Sequence, residues 1–116
     1  MGADTFTRVA FGKTADEAFS NARKEAEEWH GSRPYTGSIK EKDSFTKIPE
    51  REYKGKDRRK FAGELIAEGD DRIDSKWGPA GAVSLKGTQE ASQYRENNNL
   101  KGKHGAVWLF FGWAPC

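Results

Sequence analysis

Gly12-Lys13-Thr14 is the first stretch whose residue types suit chemistry, because a lysine and a threonine after a glycine end a phosphate-binding loop between strand and helix. That loop also needs a glycine five residues earlier so that its amides wrap the phosphate, and position 7 is Thr7. Nucleotide hydrolysis by a P-loop is therefore not expected. What remains is a helix start whose free amides, with Lys13, could hold one anion. Glu64, Glu68 and Asp71 fall at i, i+4 and i+7, with Asp70 and Asp74 a turn apart. Clustered carboxylates suit a hard cation, or a division of acid and base roles. No metal-loop spacing accompanies them, so they read as a solvated helix face and no metal is expected. His30 and His104 each lack a second ligand at metal-binding spacing. His30 adjoins a helix end, where its positive form suits the dipole, and His104 shares a polar loop with Lys101 and Lys103, whose donors could meet a phosphate. No Ser or Cys is placed as a nucleophile with a base, and Cys116 has nothing nearby to activate it. The expectation is a protein that is not an enzyme and carries no cofactor.

Aromatic residues offer a different chemistry. Trp77, Trp108 and Trp113 could stack on a base, and stacking beside cations is how proteins hold nucleotides without reading sequence. Trp108 and Trp113 lie in the longest apolar run, where packing accounts for them. An odd number of positions separates them, so regular pleating points them to opposite faces. Trp77 follows Lys76, near Arg72, in an irregular Gly/Pro turn of the kind that often lines a pocket. The candidate binding set is therefore Trp77 or Tyr35 for stacking, with Arg58, Arg59, Arg72, Lys76, Lys101, Lys103 and His104 for phosphate.

The elements that must position these residues follow from pattern. Ala106-Val107-Trp108-Leu109-Phe110-Phe111-Gly112-Trp113-Ala114 is the only continuous apolar run and reads as a central strand buried on both faces. Thr5 to Phe11 alternates as a strand. Thr14 with Glu17 is a capping box for a helix whose stripe is Ala15, Ala18, Phe19, Ala22, Ala26 and Trp29, ended by Gly31. Further strands are expected at Tyr35 to Ile39, Phe45 to Ile48 and Ala82 to Leu85. A second helix is expected to follow Asp57, facing Phe61, Leu65 and Ile66 inward. Residues 50–60 read as an exposed basic loop and residues 88–105 as a long polar one. Together these give one α+β domain over residues 1–116, with an order of β-α-β-β-α-β-loop-β. About five strands form a mainly antiparallel or mixed sheet covered by two helices.

Composition sets outer limits. With 116 residues there is room for one modest core, and with 34% hydrophobic residues it must be built from large rings: seven Phe, four Trp and three Tyr. The formal charge of +2 does not announce nucleic acid, but it is unevenly spread, with five cations between Lys54 and Lys60 and five acids between Glu64 and Asp74. One cysteine rules out an internal disulfide framework and suits a reducing compartment. With no leader pattern and no apolar run of membrane length, a cytoplasmic protein without membrane contact is expected.

Three stretches, Tyr35-Thr36-Gly37-Ser38-Ile39-Lys40-Glu41-Lys42, Lys76-Trp77-Gly78-Pro79-Ala80-Gly81 and Phe110-Phe111-Gly112-Trp113-Ala114, together with the Ala-rich helix, resemble small uncharacterised proteins of phages and other mobile elements. The resemblance implies a setting, conflict between phage and host, rather than an activity. In that setting the expected function is counter-defence by sequestering a small phosphorylated nucleotide of cyclic or ADP-ribose type. A homo-oligomer is expected to supply the depth of pocket that so small a domain lacks. The alternatives are an inhibitor that docks on a host enzyme through its uneven charge, and a nucleic-acid-binding module built on Lys54 to Lys60.

Overall fold

The structure, a computed structural model, describes residues 2–116. Its elements are β1 (Ala3–Gly12), α1 (Ala15–His30), β2 (Phe45–Lys47), α2 (Arg58–Glu68), β3 (Ala80–Ser84), α3 (Gln89–Asn97) and β4 (Ala106–Pro115), with 3-10 turns at Ile39–Glu41 and Glu50–Glu52. The sheet order is β1-β4-β3-β2, with β4 antiparallel to both neighbours and β2 parallel to β3. The class is α+β with a mixed sheet, as the pattern predicts, but with four strands and three helices rather than about five and two.

The apolar closing run is the inner strand of this sheet. It pairs along its whole length with β1, from Gly12 opposite Ala106 to Ala3 opposite Pro115. That unbroken register keeps Trp108 and Trp113 on opposite faces. Phe110 packs with Ala18, Phe19 and Ala22 of α1 on one face, while Val107, Leu109 and Phe111 pack with Phe61 and Leu65 of α2 and Ala91 of α3 on the other. Phe110 and Phe111 are both fully buried, and each such ring contributes roughly 1.5–3 kcal/mol by leaving water. Helices therefore cover both faces of the sheet. Gly12 allows α1 to approach closely, since a Cβ there would sit 2.3 Å from the Ala18 amide nitrogen.

The capping signals operate as read. Thr14 accepts from the Glu17 amide at 3.1 Å, and Glu17 reaches back to the Lys13 amide at 3.1 Å. Asp57 accepts from the Lys60 amide at 2.9 Å and starts α2.

Five expectations change. Tyr35 to Ile39 is not a strand: Tyr35 and Gly37 have positive φ, and Ser38 caps the short turn that begins at Ile39. Residues 88–105 are not all loop, because Gln89–Asn97 is a helix capped by Thr88. The 50–60 stretch is tied down, with Tyr53 buried and its hydroxyl accepting from the Ser84 amide at 3.0 Å. Trp29 leaves the helix stripe and is 80% exposed. The strand placed at Ala82 to Leu85 starts earlier, at Ala80, as soon as Pro79 has passed. Among the described residues no helix is long and apolar enough to cross a membrane.

Candidate functional site

β1 runs outward from Ala3 and α1 returns, so the C-terminal end of α1 comes back toward Ala3 and Pro115. This end of the molecule carries all three large exposed aromatics: Trp29, Tyr35 at 45% and Trp77 at 64%. Tyr35 and Trp77, 42 positions apart in sequence, meet edge to face with ring centroids 6.2 Å apart. The Lys76 ammonium lies 5.6 Å from the Trp77 ring centre and reaches the Gly2 carbonyl at 3.5 Å. Lys76 and Trp77 are neighbours in the sequence, and the fold brings Tyr35 to them.

Both rings stand on pinned loops. Tyr35 has φ 56°, a left-handed conformation that a tyrosine adopts at a cost of order 1 kcal/mol or more. The next residues hold it there: the Thr36 amide and hydroxyl donate to Glu41 Oε2 at 3.1 and 2.8 Å, and the Gly37 amide donates to the Pro115 carbonyl at 2.8 Å. Burial pushes the Glu41 carboxyl up, but the Thr36 hydrogen bonds, with help from Lys40, outweigh it and hold the group below its usual range. Lys40 in turn donates to the Arg33 carbonyl, which ties the two sides of this loop together.

Trp77 is held from beneath by a residue the sequence did not single out. Lys42 is 1% exposed, and its Nζ donates to the carbonyls of Ser75, Lys76 and Gly78 at 3.2, 3.2 and 2.8 Å. A buried ammonium surrounded by carbonyls gathers the turn around itself. Burial also pushes the Lys42 amine down to about 8. Only the tertiary fold reveals this clamp, because in the sequence Lys42 is one lysine in a polar run.

The remaining candidates do not join this site. Arg58 stacks 4.9 Å from the Tyr53 ring centre and donates to the carbonyls of Ser84, Tyr53 and Lys56. Arg59 pairs with Glu90 at 2.7 Å, which raises its already high pKa. Arg72 is gripped by Asp70 and Glu52 at 2.9 and 2.8 Å; the pairing raises the guanidinium and lowers both carboxyls. These three arginines are structural. Lys101, Lys103 and His104 are exposed in the loop before β4, at the end of that ten-residue strand opposite Pro115, roughly 30 Å from the aromatic end at 3.3 Å per residue. Arg95 shapes that loop by donating to the carbonyls of Leu100, Lys103 and Gly105. Within one copy of the chain the nine candidates therefore do not converge on a single pocket.

Clefts occur away from the aromatic pair. One of about 460 Å³ runs along the outer side of α3, past Glu90 and Tyr94, and another of about 280 Å³ lies between Lys86, Thr88, Arg95 and Ala106. Among the described residues no group of three His, Cys, Asp or Glu side chains is arranged to hold a metal ion. The Tyr35–Trp77 surface therefore offers stacking and cationic contact on hydrogen-bonded loops. Comparison of the chain with protein-family models, characterised proteins and solved structures returns no match.

Proposed function

We propose that this protein is a non-enzymatic binder of a small phosphorylated nucleotide, of cyclic or ADP-ribose type, acting as a phage-type counter-defence sponge. The observation that carries the reading is the exposed Tyr35–Trp77 pair beside Lys76, two rings from distant loops each pinned by its own hydrogen bonds. A base stacks on Trp77 with Tyr35 as a side wall, and the phosphates lie toward Lys76 and the cations of the 33–40 loop. Pre-pinned loops reduce the ordering cost of binding, which favours a site on a small domain. Arg58, Arg59 and Arg72 have no part in it. Isothermal calorimetry against a panel of cyclic and ADP-ribose-type nucleotides tests the proposal. Binding of one class, weakened about fivefold or more by Trp77→Ala, supports it, since stacking is worth about 1–3 kcal/mol per base. Absence of binding by folded protein at physiological salt overturns it.

A second reading has its own observation. Trp29, Tyr35 and Trp77 stand on one end of the molecule, and exposed aromatics of this kind anchor protein interfaces. On that reading the protein masks a host enzyme. A stoichiometric protein partner whose capture is lost with Trp29→Ala and Trp77→Ala together favours it over the sponge.

A further inference from the structure

The two edges of the sheet differ. β2 ends one edge with three residues and is followed by Pro49, whereas β1 leaves a ten-residue strand along the other. A long open edge is a template for another strand. The Cys116 amide donates to the Gly2 carbonyl, and antiparallel pairing alternates, so even-numbered residues of β1 turn their backbone groups to β4 and odd-numbered ones turn theirs outward. Ala3, Thr5, Thr7, Val9 and Phe11 are the outward set. At the far end Asn21 donates to the Phe11 carbonyl at 2.8 Å and closes the edge there. The outward ladder thus runs from Ala3 to Val9, centred on Phe6, with the Thr5 amide donating locally to Asp4 Oδ1 at 2.9 Å, a bond that a pairing strand replaces.

Charge on this strand has the same centre. Asp4 and Arg8 lie two residues to either side of Phe6, on the α1 face, where Phe6 and Ala10 also pack. Antiparallel pairing of two β1 strands about Phe6 sets Thr5 opposite Thr7, Ala3 opposite Val9 and Asp4 opposite Arg8, each twice by symmetry. Shifting the centre to Thr5 or Thr7 would keep the outward groups facing but lose both Asp4–Arg8 pairs. Glu25 already meets Arg8 at 3.3 Å, leaving the guanidinium able to bridge two carboxylates, as Arg72 does between Glu52 and Asp70 in the same chain. Beside Ala10 and Phe11 the edge is flanked by Lys24 and Glu28 of α1 and by Tyr94 and Asn98, forming a groove of about 380 Å³. In the Phe6-centred register the partner strand brings its smallest residues, Gly2 and Ala3, toward that narrow end.

We infer that the β1 edge is a self-association surface, where two copies of this chain pair antiparallel about Phe6 into one continuous eight-stranded sheet held by reciprocal Asp4–Arg8 contacts. The sheet of each copy contributes its four strands to the total. The test is sedimentation equilibrium of the full chain over a concentration series. The wild type is expected to approach twice the 13.0 kDa chain mass. Asp4→Arg sets like charges opposite each other twice and is expected to weaken association by about tenfold or more. Asp4→Arg combined with Arg8→Asp restores the pairing in swapped form and recovers most of the loss. Thr7→Pro removes an outward amide without touching the β4 ladder, so its circular dichroism stays native while association is lost. A monomer at all concentrations, or association indifferent to both Asp4→Arg and Thr7→Pro, overturns the inference.

Discussion

Replacing Lys42 by methionine keeps an unbranched side chain, one atom shorter, and removes its donors. The Ser75 carbonyl retains the Gly78 amide at 3.1 Å, but the carbonyls of Lys76 and Gly78 lose the ammonium that held them. Two orphaned acceptors cost about 2–6 kcal/mol. Against this, methionine avoids burying a charge. A shift from 10.5 to about 8 puts that relief at roughly 3 kcal/mol below pH 8. The net loss near pH 7 is therefore small, about 1 kcal/mol, or roughly 4 °C in Tm for a domain of this size. The pH dependence is sharper than the offset. With a depressed amine the folded state gives up its proton first, so between about 8 and 10.5 the unfolded state binds more protons and Lys42 contributes stability that rises with pH. The gap between wild type and Lys42→Met should widen across that window, by up to about 1.4 kcal/mol per pH unit, because the neutral amine still donates without its desolvation cost. Urea unfolding of both proteins at a series of pH values measures the gap, and taking the difference cancels the tyrosines common to both. A gap that narrows or stays level from pH 8 to 10.5 would refute the buried clamp.

Arg72→Met should flatten the acid side of the stability profile. Arg72 depresses the Glu52 and Asp70 carboxyls, so their stabilising contribution is present above their unfolded values of 4.5 and 3.8 and is lost as pH falls through the lower folded ones; chemical denaturation from pH 6 to pH 2 detects the change. Gly12→Ala should lower stability by about 3 kcal/mol or more, read from the denaturation midpoint, because its Cβ would meet helix backbone rather than a movable side chain. Trp29→Ser should leave Tm within about 2 °C of wild type, since the ring is 80% exposed, whereas Phe19→Ala, in the α1 core, should cost about 3–5 kcal/mol.

Elements marked by strong local signals were legible in the sequence. β4 is an apolar run that only an inner strand can bury on both faces, and α1 carries its cap, its alanines and its terminal glycine in order. α3 is hidden because Ala91 is its only buried residue, so it shows no apolar stripe; Thr88, two residues before Glu90, was the one available sign of a helix start. The alternation at Tyr35 to Ile39 misled because turn chemistry at Gly37 and Ser38 decides that backbone rather than pleating. Trp29 followed the helical period, yet at the last turn of α1 its ring stands exposed. As for the site, Tyr35, Lys76 and Trp77 were legible by type, and their meeting was not. Charge alone could not separate free cations from paired ones, which is why Arg58, Arg59 and Arg72 looked available.

The most direct test is a heteronuclear NMR titration of the full chain with the nucleotide class that calorimetry selects. Amide shifts confined to residues 33–41 and 75–78, with the Trp77 indole among the largest, are the predicted result. Shifts centred on 86–88 and 101–106, or spread without focus, would contradict a site built on Tyr35 and Trp77.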